Sequence, residues 1–278
     1  MNRTAQWLSV AILLLVLASA GWWAHRTFIA PQWSPLEGTV SRMQIDRDEG
    51  DRLFEQARDV LAQKRFADAA PLFRQAAERY ERAMAWSLQG TAMDNLGWVE
   101  LEQRHYAEAI STYRRAQELY ERGGMPHRLG RIDALLGDAA WELDRYEDAR
   151  GFYQQARARL DPVKDREQLA YVALYQSKVE AELHDLDAAA DYCSQAAALA
   201  VDSHNPVLLG KIAEHMAWIE LARRHPMQAK ELWENALFQY TSAGSEADQT
   251  RVRGFLKELD AKLERTNARS QSVPETHN

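Results

Sequence analysis

The sequence predicts an all-α protein built as an array of repeated helical hairpins. Three observations carry this: a short motif recurs every 40 residues, small residues hold fixed places within each unit, and helix breakers are few and gathered between units.

The recurring motif is read first. Lys64-Arg65-Phe66-Ala67-Asp68-Ala69 aligns with Arg104-His105-Tyr106-Ala107-Glu108-Ala109 and with Asp144-Arg145-Tyr146-Glu147-Asp148-Ala149, a step of 40 residues each time. The same step reaches Leu186 to Ala189 and Pro226 to Ala229, so five units share one register without an insertion. Twelve residues before the shared alanine stands a small residue: Ala57, Gly97, Gly137, Ser177 or Ala217. Seven after it stands another: Ala76, Ala116, Ala156, Ala196 or Ala236. A large apolar side chain falls between at Phe73, Tyr113, Tyr153 and Trp233, with Cys193 as the exception.

Two antiparallel helices, A and B, explain this spacing. Where A crosses B, only small side chains let the backbones approach to the short end of the usual 8–10 Å. The large ring wedges between units, giving a core that no unit buries alone. In the third unit Ile132, Leu136, Ala139, Ala140 and Leu143 recur at helical spacing and predict the buried face of helix A. The chain has only 13 glycines and 8 prolines, and several mark the joints: Gly123, Gly124 and Pro126; Pro162; Pro206; Gly244. Glycines 50, 90, 130 and 210 stand near the starts of A helices. After the fifth unit, Ser245–Arg265 reads as a charged helix with Val252, Phe255, Leu256, Leu259 and Leu263 on one side, suited to close an exposed end.

This pattern resembles the tetratricopeptide repeat, in the 40-residue variety of kinesin-light-chain-type proteins. The Leu-Gly pairs 96–97 and 136–137 match best, and Gln176-Ser177 and Met216-Ala217 depart from it. The resemblance implies a right-handed α-solenoid of about five units (48–85, 86–125, 126–164, 165–204, 205–244) and a capping helix, 245–265. It further implies that A helices line a concave groove, which residue by residue holds Asp94, Trp98 and Glu102; Arg131, Asp138, Trp141 and Glu142; Tyr171, Lys178 and Glu182; and Lys211 and Trp218. Aromatic rings bordered by charge suit a peptide. Alternatively, the same rings pack against neighbouring helices. Glu102, Glu142 and Glu182 repeat at the 40-residue step, and an acidic ladder there favours a ligand carrying Lys or Arg.

At the N-terminus, Trp7 to Ala24 is uncharged and apolar but for Ser9 and Ser19. At about 1.5 Å per residue it reaches roughly 27 Å, enough for a single transmembrane helix within residues 1–26. Ala18-Ser19-Ala20 also fits a signal-peptidase site, so cleavage after Ala20 competes with an uncleaved anchor. Trp22 and Trp23 extend the apolar run past that point and favour the anchor. Residues 27–47 read as a linker because of Pro31, Pro35 and Gly38, and 266–278 as a disordered tail.

A net charge of −7 without a basic stripe excludes nucleic acid as a partner. The single cysteine permits neither an internal disulfide nor a thiolate metal site. Neither a metal nor a cofactor is expected, since no catalytic motif appears among the 8 histidines and 41 acids. His105 and His225 share one repeat position, where favourable charge at an A-helix C-terminus explains them, and the adjacent Glu214 and His215 point to different sides of a helix. The expected function is a non-enzymatic, membrane-tethered scaffold holding a peptide segment of another protein, on a bacterial inner membrane with the array in the periplasm. A self-associating platform, a cleaved soluble periplasmic chaperone and a cytoplasm-facing array are the alternatives.

Overall fold

The computed structural model describes the backbone of residues 30–271 and the side chains of residues 38–265. The expected transmembrane segment and residues 272–278 lie outside the described residues. Among the described residues there are eleven α-helices and no strand: α1 (Ala30–Ala62), α2 (Phe66–Arg82), α3 (Trp86–Glu102), α4 (Tyr106–Arg122), α5 (Leu129–Trp141), α6 (Tyr146–Arg159), α7 (Arg166–Glu182), α8 (Leu186–Ala200), α9 (Pro206–Ala222), α10 (Pro226–Ser242) and α11 (Glu246–Gln271). None of these is long and apolar enough to cross a membrane. Backbone contacts divide the chain into two compact units, residues 1–92 and 93–278.

In the first unit α1 pairs with α2. Ala57, Ala69, Phe73 and Ala76 are fully buried, and the Phe54 and Phe73 rings meet edge to face at 5.5 Å. A Cβ on Gly50 would stand 2.8 Å from the Tyr80 ring, so glycine is what lets that ring lie flat on α1. The Tyr80 hydroxyl then donates to Asp51 at 2.8 Å. The expected linker is corrected here: residues 30–47 are helical and continuous with the first repeat. Pro31 falls in the first turn, where the missing N–H has no intrahelical partner to lose.

In the second unit the pairs α5/α6, α7/α8 and α9/α10 repeat one plan. Ala109, Ala149, Ala189 and Ala229 are fully buried, as are Tyr113, Tyr153 and Cys193, with Trp233 at 1% exposure. A Cβ on Gly97 would come within 2.7 Å of the Tyr113 ring. Leu143, expected in the core, is 36% exposed, because the A helix ends at Trp141 and Leu143 already lies in the turn. The cap is longer than expected, running to Gln271, with Val252 and Leu259 seated against Ala213, Trp233 and Tyr240.

Each A-to-B turn closes without glycine. Lys64, Arg104, Asp144, His184 and Arg224, again 40 residues apart, all adopt positive φ, from 55° to 67°. At the second of these the N–H of Arg104 donates to Leu101 O at 2.9 Å and the N–H of His105 to Glu100 O at 2.8 Å. This doubly bonded stop satisfies two orphan carbonyls and offsets the steric cost of left-handed backbone, about 1 kcal/mol or more per residue. His105 and His225 therefore stand just beyond the A helix, and neither side chain caps the B helix that follows.

A candidate peptide-binding face on the A helices

Successive A helices present residues at i, i+4 and i+7 to a common face. On α5, α7, α9 and α11 these side chains enclose two adjoining depressions. One, of about 300 Å3, is lined by Tyr175, Lys178, Lys211, Glu214, Trp218 and Arg251 among others. The second, of about 370 Å3, is lined by Trp141, Lys178, Glu182 and Trp218, with Leu186 and Ala222 at its edge. Both include Lys178, His215 and Trp218.

Trp218 is 42% exposed and held from beneath, its ring edge to face with Trp233 at 5.0 Å and with Phe255 at 4.9 Å. It belongs partly to the end-cap core and partly to the open face. Trp141 is half-buried, with Tyr146 5.2 Å away. The Lys178 ammonium sits 4.6 Å from the centre of the Tyr175 ring. Burial, and after it the charge of Lys211, hold the Lys178 pKa below the usual lysine range. Glu214 accepts from the Tyr240 hydroxyl at 2.8 Å and from Arg251 at 2.8 and 3.0 Å, so its charge is already matched.

His215 lies under this face, its Nε2 3.0 Å from Ser177 Oγ, and Ser177 Oγ also donates to Ala189 O at 2.5 Å. Burial pushes the imidazole pKa down to about 4, so the ring is neutral at pH 7. Burial has the opposite effect on Asp138, pushing its carboxyl up to about 6, although the Tyr153 hydroxyl donates to it at 2.7 Å.

The structure thus brings together Trp141, Lys178, Glu182, Lys211 and Trp218. Other expected groove residues have different work. Asp94 is buried, accepts from the Tyr120 hydroxyl and pairs with Arg131, so neither of that pair is an open groove charge. Asp138 is engaged by Tyr153. Tyr171 packs half-buried on the apolar cluster of α7–α9. Trp98 is half-buried and Glu102 exposed, and neither lines these depressions; exposed Glu142 accepts from the Tyr106 hydroxyl at 2.8 Å. Glu214 and His215, expected on different sides of α9, line the same depression. Sequence spacing missed Tyr175, His215 and Arg251, although Tyr175 is signalled by its place one turn before Lys178. Among the described residues no cluster of three or more His, Cys, Asp or Glu is placed to hold a metal.

A tetratricopeptide-repeat family model matches residues 48–122, and a second matches residues 95–165. Residues 48–165 thus carry tetratricopeptide repeats. No curated protein matches the sequence. Among solved structures, aspartyl phosphate phosphatase F from Bacillus subtilis is similar at 15% identity and TM-score 0.56, over 79% of this chain and 60% of that one. The chain therefore spans about three-fifths of that phosphatase. MamA from Desulfovibrio magneticus RS-1 is similar at 12% identity and TM-score 0.56, over 70% of this chain and 97% of that one. YrrB, described as a TPR protein with an unusual peptide-binding site, is similar at 14% identity and TM-score 0.51, over 78% and 97%. At such identities the likeness concerns the fold, an all-helical repeat array.

Proposed function

We propose that this protein is a scaffold that holds a peptide segment of another protein against the A helices of its third to fifth repeats. The observation that carries this reading is the face on which half-exposed Trp218 and Trp141 flank the desolvated Lys178. Rings supply area at low entropic cost, and a partly dehydrated ammonium gains most from an incoming anion. Neither Lys178 nor Lys211 has a carboxylate within ion-pair distance among the described residues. An apolar residue beside a carboxylate therefore suits the face better than the Lys- or Arg-bearing ligand that the three glutamates suggested. The peptide-binding site attributed to YrrB supports the same class of function. The apolar run Trp7–Ala24 supports a membrane tether, with the array in the periplasm of a bacterial envelope.

The test places a photoreactive phenylalanine analogue at position 218 of the full-length chain in its native membrane. A discrete adduct, mapped to a segment containing Asp or Glu and lost with Lys178→Gln, is the expected result. An adduct indifferent to Lys178→Gln, or none above background, would reject the reading. Retention of the chain in carbonate-washed membranes, abolished by deleting residues 7–24, checks the tether.

A further inference from the structure

The fourth repeat breaks its own pattern on the opposite, B-helix side. At the register where the second, third and fifth units place Leu96, Leu136 and Met216, the first places an exposed Gln56 and the fourth Gln176, which is only 2% exposed. At the register of Ala77, Gln117, Ala197 and Leu237, the third places Arg157. The two meet: Arg157 donates to Gln176 Oε1 at 3.1 Å and to Gln195 Oε1 at 2.8 Å, with its guanidinium 5.4 Å from the centre of the Tyr192 ring. Gln176 accepts this bond but donates to no acceptor among the described residues. Replacing a core leucine by an amide sacrifices apolar burial and turns a polar group towards the recess that Gln176 lines. Since three other units fold with an apolar residue there, the fold does not require the exchange, and such local conflicts concentrate where a protein binds something.

The surroundings say what that is. Arg157, Gln154 and Gln176 with Tyr192, Gln195 and the rim residue Asp191 line an open recess of about 450 Å3. Every other arginine of α6 and its flanks is neutralised: Arg145 by Asp148, Arg150 by Glu147 and Glu180, and Arg159 by buried Asp133. Arg157 has no carboxylate within ion-pair distance among the described residues, and is held in place by neutral amide oxygens and a ring face. A guanidinium fixed in this way retains its full charge and has spare N–H groups for a planar, two-oxygen acceptor. We propose that this recess is a second protein-binding site, which takes an Asp or Glu side chain of a partner segment, with Gln176 and Gln195 hydrogen-bonding the same segment. Asp191 on the rim opposes the incoming charge and sets a selectivity against weakly anchored acids.

The site is independent of the A-helix face, and the experiment keeps the two apart. The probe is a fluorescein-labelled octapeptide pool with a fixed central Glu and randomised flanks, compared by anisotropy with the same pool carrying Gln, on the full-length chain. The Glu pool should bind at least tenfold more tightly. In the Lys178→Gln background, which silences the A-helix face, the Glu preference that remains should be removed by Arg157→Gln and strengthened several-fold by Asp191→Asn. Arg157→Lys, which keeps charge without the planar fork, covers a folding failure of the first variant and should lose most of the preference. In the Lys178→Gln background, equal binding of the two pools, or a Glu preference that survives both Arg157 variants, would each overturn the proposal.

Discussion

The third and fourth helix pairs face the same packing problem and divide the volume differently. In the third, Gly137 on α5 yields entirely to the Tyr153 ring of α6, and the ring's hydroxyl reaches Asp138. In the fourth, Ser177 faces α8 at a crossing whose wedge is Cys193, and part of the ring's role passes to His215, which comes from the next A helix and meets Ser177 Oγ. A repeat register therefore fixes where a crossing lies without fixing which helix fills it. The difference also moves a titratable group: one crossing sets a carboxyl beneath the A-helix face, the other an imidazole.

The strongest way to break this comparison is to remove the wedge from each pair. Tyr153→Ala should cost about 3–5 kcal/mol and Cys193→Ala far less, about 1 kcal/mol, by urea unfolding. Equal losses would show that the fourth pair is not the less ring-dependent of the two. Filling the crossing comes next: Gly137→Ala drives a methyl into the Tyr153 ring and should cost about 1–3 kcal/mol. Ser177→Ala loses a bond to Ala189 O and a partner for His215, at about 1 kcal/mol, and the order of these two costs is the readout.

The pH dependence sharpens the contrast through its sign. His215, about 4 when folded against 6.5 for the free group, is neutral where the unfolded chain is protonated, so its contribution is lost as pH falls from 6.5 towards 4. Asp138, about 6 when folded against 3.8, retains a proton that the unfolded chain releases, so its contribution is lost as pH rises from 3.8 to 6. The two oppose each other across the same window. Between pH 4 and 6.5, His215→Gln should make stability fall more steeply as pH rises, and Asp138→Asn should make it rise. Urea midpoints that respond in the same direction to both substitutions would contradict this assignment.

The smallest effect lies in the turns. His184→Gly relieves left-handed backbone and should gain about 1 kcal/mol. Asp144→Gly should gain less, because Asp144 also accepts from the Tyr146 hydroxyl at 2.8 Å. Thermal melts that rank the two in reverse would discount that bond.

What was legible in the sequence follows from what repeats. The small crossing residues and the wedge from Phe73 to Trp233 were visible because packing between units imposes the same size demand every 40 residues. Helix at 30–47 was not, since a first-turn proline such as Pro31 and a linker proline look alike, and Pro35, past the first turn, argues locally against a helix. Groove residues were half legible. Spacing puts Trp141, Lys178 and Trp218 on one face, but cannot show that Asp94 and Arg131 neutralise each other or that Trp218 leans on the cap. Such cross-helix pairings depend on distances that no single helix encodes.

The uninterrupted course of α1 has a mechanical consequence. A flexible tether of 18 residues would give a root-mean-square span of about 23 Å with a broad spread. As helix, residues 30–47 form a strut of roughly 27 Å with almost none. A strut also fixes azimuth: each residue inserted or deleted there turns the first repeat by about 100° relative to whatever holds the strut's far end. Standoff and heading of the first repeat are then both written in the length of one helix, and a change of two residues would alter where that repeat faces while hardly altering how far away it stands.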